Sequence, residues 1–300
     1  MKDRFRPWLS FLVCSCLGLV ALGQLPSRPA LPPPPFDPDL VLAYVTVTAS
    51  KGAAPRLSQR DFRILEDGAE QKIDYFSVQD QPISVGIVWG GGTGFDAVAP
   101  DPDVRECPRA FMRNMPPGSE YFLLSNDLVT TSYTTDITRI PQNFAWSGSS
   151  SDSIFIGMDV LKESAFPRKL LLVVAKPEGG GGGQLQNPYV ERSAIRLSAT
   201  GTQIHVVSFM GDADSRTLNH EGSIFFSELT DLTGGSYFLG PVSNVACANL
   251  ARELRMQYLV GYHSTNRARD GKWRKLAVKL DAPDDQKLKA RIKRGYYAGK

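Results

Sequence analysis

Histidine is nearly missing from this chain, with three in 300 residues. Only four cysteines are present, and Cys14 and Cys16 lie inside an N-terminal apolar run. No His/Cys/Asp grouping has the spacing of a zinc site. No serine or cysteine sits in a recognised nucleophile motif, and His220 and His263 are separated in sequence, so hydrolase chemistry lacks its parts. His205 lies within an apolar strand and reads as a core histidine. An excess of one charge is also lacking: 34 Lys+Arg against 31 Asp+Glu leave +3. That balance has no concentrated basic face of the kind nucleic acid requires. Basic residues gather mainly from Lys287 to Arg294, alternating with Leu288, Ala290 and Ile292 as in an exposed, solvated strand. We expect neither enzymatic activity nor a nucleic-acid partner.

Long apolar stretches are equally scarce. The run from Trp8 to Leu22 follows Lys2, Arg4 and Arg6, and small residues Ala21 and Gly23 precede a cut at Gln24. It is too short, and too soon followed by Pro26, for a convincing spanning helix. Residues 1–23 therefore read as a signal peptide. Membrane contact is expected only through an uncleaved signal anchor, and the protein should be periplasmic, secreted or on the cell surface. Export leaves Cys107 and Cys247 in the mature chain. In an oxidising compartment they read either as a disulfide closing a long loop or as two buried thiols.

With 42% hydrophobic residues the remainder is ample for a packed core. Residues 24–39 form a stiff proline-rich linker. Residues 40–82 read as all-β: Val41 to Thr48 alternates, Phe62 to Leu65 starts a strand, Glu66-Asp67-Gly68 turns, and Gln71 to Phe76 returns. From 83 to 254 short apolar strands alternate with helices. The strands fall at 83–89, 120–125, 169–175, 203–209 and 236–239. Helices run from Ile154 to Ser164, from Pro188 to Gly201, through Phe225 to Leu232 with a stop at Gly234-Gly235, and through Ala246, Leu250, Leu254 and Tyr258. Pro100, Pro102 and Pro108 disturb any helix after the first strand, and Asp101 and Asp103 read as an exposed turn. Residues 255–298 return to β, with strands Gln257–Tyr262, Lys272–Leu280 and Lys287–Tyr296. The expected fold is α/β, a doubly wound, mainly parallel sheet flanked by helices, inserted in a small β domain built from both chain ends.

The strand from Ile83 to Trp89 runs into Gly90-Gly91-Gly92-Thr93-Gly94, a loop almost without side chains. In open α/β sheets, ligands sit beyond the C-terminal ends of the strands. Thr93 and, further on, Asp96 are the only obvious oxygen donors. Backbone N–H groups in such a loop can cradle an anion or nucleotide, although no phosphate-loop lysine motif follows. A second glycine run, Gly179 to Gly183, reads as a flexible loop at the same end of the sheet.

Several runs, taken in order, carry a family likeness. They are Leu57-Ser58-Gln59-Arg60-Asp61-Phe62-Arg63-Ile64-Leu65-Glu66-Asp67-Gly68 with Gln71-Lys72-Ile73, then Thr233-Gly234-Gly235-Ser236-Tyr237-Phe238. Glu253 to Tyr262, Asp270 to Lys275 and Arg294-Gly295-Tyr296-Tyr297 follow. The chain resembles the bacterial von Willebrand factor A-related proteins of the acidobacterial type, over roughly residues 40–298. The resemblance implies a von Willebrand factor A-like fold with a metal-ion-dependent adhesion site at the top of the sheet. That site uses an Asp-x-Ser-x-Ser loop after the first strand, a threonine from a second loop and an aspartate after a later strand, all oxygen ligands suited to Mg²⁺.

Aligned on Val85-Gly86-Ile87-Val88, Gly90 occupies the place of the first aspartate, and Gly92 and Gly94 those of the serines. Ser153 stands for the threonine, with Ser149-Ser150-Ser151 beside it. Lys176, after Lys169 to Ala175, stands where the later aspartate belongs. Two carboxylates are lost and an ammonium gained, which leaves a buried divalent cation without compensating charge. The expectation is a degenerate site: no metal, no cofactor, and Mg²⁺ only if other ligands rescue it. The function expected is that of an exported adhesion-type module whose partner is another protein. Its contacts would come from loops 90–96, 148–153 and 176–187. Two rivals stand beside it: a divalent-cation-dependent adhesion module with unorthodox ligands, and anion or nucleotide binding at Gly90–Gly94.

Overall fold

A computed structural model describes residues 37–50, 52, 54–90, 102–125, 128–141, 150–175, 201–208, 220–240, 244–281 and 287–299. The signal segment 1–23, most of the 24–39 linker and the 188–200 helix lie outside the described residues. In chain order the first strands are β1 (Leu40–Thr48), β2 (Phe62–Glu66), β3 (Ala69–Gln71), β4 (Tyr75–Gln79) and β5 (Ser84–Gly90). Helix α1 (Pro102–Asn114), strands β6 (Glu120–Ser125) and β7 (Leu128–Thr134), helix α2 (Ser150–Val160) and strands β8 (Lys169–Ala175) and β9 (Gln203–Ser208) follow. Then come helix α3 (His220–Thr233), β10 (Tyr237–Leu239) and α4 (Asn244–Arg255). Strands β11 (Gln257–His263), β12 (Trp273–Leu280), β13 (Lys289–Arg291) and β14 (Gly295–Tyr297) complete the set.

The central sheet has six strands in the order β10-β9-β8-β5-β6-β7. All neighbours are parallel except β7, which runs antiparallel to β6 at the edge. Every residue of β5 is buried, because helices cover both faces. On one face Val85, Ile87, Leu170, Leu172 and Leu123 meet Val104 and Phe111 of α1 and Ala251 and Leu254 of α4. On the other, Val88, Leu171, Val173, Phe122 and Leu124 meet Ile154 and Met158 of α2 and Phe225, Phe226 and Leu229 of α3. Each such aliphatic side chain, fully buried, contributes about 1.5–3 kcal/mol. Cys107 of α1 and Cys247 of α4, both buried, are joined in a disulfide with Cα atoms 5.4 Å apart.

Two four-stranded sheets, β13-β1-β11-β4 and β14-β12-β2-β3, enclose a separate core of Val45, Ile64, Tyr258, Val260, Leu276 and their neighbours. Strands from both ends of the chain build it, since β1 pairs with β11 and β2 with β12. The β2–β3 hairpin turns on Asp67 and Gly68, both at positive φ (49° and 87°), the combination that matches strand twist in a two-residue turn. Glu66 is therefore not a turn residue but the buried end of β2. Its carboxylate accepts hydrogen bonds from Tyr262 Oη at 2.7 Å, Tyr296 Oη at 2.8 Å and Ser264 Oγ at 2.5 Å. Burial and then the Glu66 carboxylate push the Tyr296 hydroxyl up to about 12 and the Tyr262 hydroxyl well above its ordinary value. Both phenols thus stay protonated donors, satisfying a charge that would otherwise be costly to bury.

Four sequence expectations need correction. Helix α1 forms despite its prolines: Pro102 takes its first position, where a missing N–H costs nothing, and Pro108 is accommodated within it. Asp103 accordingly sits in the first turn of a helix rather than in a loop turn. The helix expected to reach Tyr258 stops at Arg255, and Tyr258 is a buried strand residue of the β core. The run Lys287–Tyr296 is not one exposed strand. It splits into β13 and β14, which belong to different sheets. Arg294 between them turns to α3 and pairs with Glu228 at 3.0 Å and Asp231 at 3.5 Å.

Candidate functional site

The parallel register sets the top of the central sheet. Trp89 pairs with Ser125, Gly90 with Ala175, and Ala175 with Ser208, so these strand ends form a rim. Gly90 is buried as the last residue of β5. Ser153 lies in the first turn of α2, 3% exposed, against the face that holds Val88 and Leu124. Of the residues singled out in the sequence, Gly90 and Ser153 are placed near this rim. Gly91, Gly92, Thr93, Gly94, Asp96 and Lys176 lie outside the described residues, as do loop 176–187 and most of loop 90–96, whereas residues 150–153 of the expected loop 148–153 form the start of helix α2.

Two rim residues escaped the sequence reading, Ser125 and Ser208. Both are buried hydroxyls ending otherwise apolar strands, and that position is the signal that could have found them. Ser208 Oγ donates to the Ala175 carbonyl at 2.8 Å, which ties two strand ends together. The strand ends at the rim thus offer hydroxyls and backbone groups and no carboxylate. Among the described residues no group of three or more His, Cys, Asp or Glu side chains is arranged to hold a metal ion. Hard divalent cations want several oxygens and compensating negative charge.

No protein-family model and no curated protein matches the chain. Among solved structures it is similar to proximal thread matrix protein 1 from the mussel byssus, with a zinc-occupied MIDAS motif. The TM-score is 0.39 at 11% identity, covering 63% of this chain and 49% of that one. It is also similar to the PilB minor pilin from Streptococcus sanguinis, with a TM-score of 0.34 at 11% identity, covering 59% of this chain and 61% of the pilin. The chain thus spans about half the length of the byssus protein it matches. The mostly parallel sheet with helices on both faces is the architecture read from the sequence, and it stands on the strand order above.

Two of the three histidines, His205 and His263, have hydrogen-bond partners among the described residues. His205 is wholly buried, and its Nδ1 accepts from the Ser236 N–H at 3.2 Å and lies 2.9 Å from Ser236 Oγ. Burial, with Arg291 and Arg168 adding repulsion, pushes it down to about 3, so the ring stays neutral. His263 is exposed and spans two carboxylates, with Nδ1 2.8 Å from Asp74 and Nε2 3.0 Å from Asp37. Carboxylates only accept, so both bonds require the doubly protonated ring, which has no lone pair left to act as a base. Lys72 stands 3.4 Å from the same Asp74.

The hydrogen bonds to Asp74 and Asp37 raise the His263 pKa, and those to His263 lower both aspartates. The sign follows from each direction. The histidine's contribution is complete below its ordinary 6.5 and is lost as pH rises through its raised folded value. The aspartates' contribution is complete above their ordinary 3.8 and is lost as pH falls through their lowered values. The clasp should be strongest between these limits. We expect His263→Gln to flatten the decline in stability from pH 6 to pH 8, a difference small because the groups are exposed. Urea midpoints across that range would check it, and parallel curves for the two proteins would refute it.

Proposed function

We propose that this chain is an exported, non-enzymatic protein–protein interaction module of the adhesion type, built on a von Willebrand factor A-like domain that works without its metal. The observation that carries the reading is the rim: strand ends at Ser125, Gly90, Ala175 and Ser208, with Gly90 where an aspartate ligand would stand. The doubly wound order with one antiparallel edge strand supports the fold part of the reading. The lysine at position 176 supports the loss of metal, since an ammonium opposes a cation. Partner contacts then fall to the top loops, where loops bordering strand ends commonly carry function.

Thermal denaturation of the exported chain with Mg²⁺, Mn²⁺ or GTP tests it. No shift is expected with any of them. Ligand at a hundredfold excess over its Kd stabilises by about 2.7 kcal/mol, roughly 5–10 °C in a domain of this size, so binding would be plain. A rise with a divalent ion would replace this reading by a cation-dependent module, and a rise with GTP alone by nucleotide binding. A positive arm accompanies it. The combined change Gly90→Asp, Gly92→Ser, Gly94→Ser and Lys176→Asp should create a Mg²⁺-dependent rise absent from the natural chain. Its absence in a folded variant would mean that the rim is not an emptied metal site.

A further inference from the structure

At the opposite end of the central sheet from Gly90, a cavity of about 170 Å³ opens between β1, the start of β9 and the turn after β13. Its walls include Leu42, Leu232 and Leu259, and its polar lining includes Tyr44, Gln203 and Lys293. Lys293 has no hydrogen-bonding or acidic partner among the described residues, and its ammonium lies 5.6 Å from the centroid of the Tyr296 ring. Lys293 is half-buried, and its desolvation pushes the group down to about 8 with no carboxylate holding it up. Gln203 is 2% exposed. Its Nε2 donates to the Gly234 carbonyl at 3.4 Å, and its Oε1 is buried without a partner among the described residues. The lysine backbone is held close, since a Cβ on Gly234 would lie 2.6 Å from the Lys293 nitrogen.

An unpaired cation, an unpaired acceptor and apolar walls around one small space specify a ligand. We infer that this cavity binds an apolar N-acyl amino acid carboxylate, the chemistry of a peptide's C-terminal residue. The carboxylate would pair with Lys293, the amide N–H would donate to Gln203 Oε1, and the side chain would lie against Leu42, Leu232 and Leu259. A free amino acid fits less well, because its α-ammonium would stand close to Lys293. Phosphate fits less well again, because aliphatic walls leave its other oxygens without donors. The site is distant from the rim, so its success or failure leaves the reading of the rim untouched.

Isothermal titration of the exported chain with N-acetyl-L-leucine, the tripeptide Gly-Gly-Leu and N-acetyl-L-leucinamide tests the inference. The two acids should bind, and the amide should bind about tenfold more weakly or worse, a loss of about 1.4 kcal/mol. Lys293→Met should remove the difference between acid and amide. If that variant fails to fold, the natural chain still decides: NMR titration of the Lys293 side chain should show its pKa rising when N-acetyl-L-leucine is added. Binding of N-acetyl-L-leucine without the tripeptide would support a free small molecule as the occupant. Binding of both would support a chain terminus. No binding at millimolar acid, or equal binding of acid and amide, would overturn the proposal and leave the cavity to water.

Discussion

Replacing Cys107 and Cys247 together by alanine is expected to cost about 5 kcal/mol of stability. The two are 140 residues apart in sequence, and a cross-link of that span removes much of the freedom of the unfolded chain. The bond also fastens α1 to α4 on one face of the sheet, where both sulfurs are fully buried among Val104, Phe111, Ala251 and Leu254. Reduction with no substitution should reproduce most of the loss, because alanine adds only a small void. At about 2–4 °C per kcal/mol for a domain of this size, the melting temperature should fall by roughly 10–20 °C. Calorimetry of the two forms measures this directly. A fall below 2 °C, with two free thiols found by non-reducing mass spectrometry, would show that the pair is not bonded in solution.

A second large loss is expected for Gly235→Ala. A Cβ at this position would overlap the carbonyl oxygen of Ile204, a backbone atom of β9 that no change of rotamer can move. The Gly235 N–H also donates to the Thr230 carbonyl at 2.8 Å, so the glycine is pinned against the end of α3. Relief would require β9 and the strand after Gly235 to part. That would endanger the pairing of Tyr237 with Val206 and the Ser236 contacts of His205. The cost should reach about 3 kcal/mol or more. Gly201→Ala is the control. Unlike Gly235 it has a positive φ, of 64°, but it meets nothing within 4 Å, so only about 1 kcal/mol of backbone strain is expected. Equal urea midpoints for the two variants would refute the steric argument.

The buried strands were legible because a sheet covered on both faces demands unbroken apolar runs, as in Ser84–Gly90 and Lys169–Ala175. Edge strand β7 was not. Its sequence, Leu-Val-Thr-Thr-Ser-Tyr-Thr, is largely exposed and carries no apolar alternation to betray it. Prolines misled at α1, since Pro102 and Pro108 read as breakers until the packing of Cys107, Phe111 and Met112 is seen to hold the helix. The split of Lys287–Tyr296 was hidden for a related reason. An alternating pattern is the same whether a segment stays in one sheet or crosses to another, as this one does at Ile292 to Arg294. At the candidate site, Gly90 was legible as the end of a buried strand. Ser125 and Ser208 acquire meaning only when the register sets them level with it.

The pairing of β1 with β11 governs when this molecule becomes a folded protein. Leu40 to Val45 lie against Tyr258 to His263, and Glu66 awaits hydroxyls from Tyr262 and Tyr296, the latter 230 residues away. As the chain emerges, β2 already pairs locally with β3, while β1 and β4 have no strand partner until β11 has been made. Meanwhile they are unsatisfied edges, prone to wrong pairing with other chains. Under the export proposed above, that delay keeps β1 and β4 open while the chain crosses a membrane.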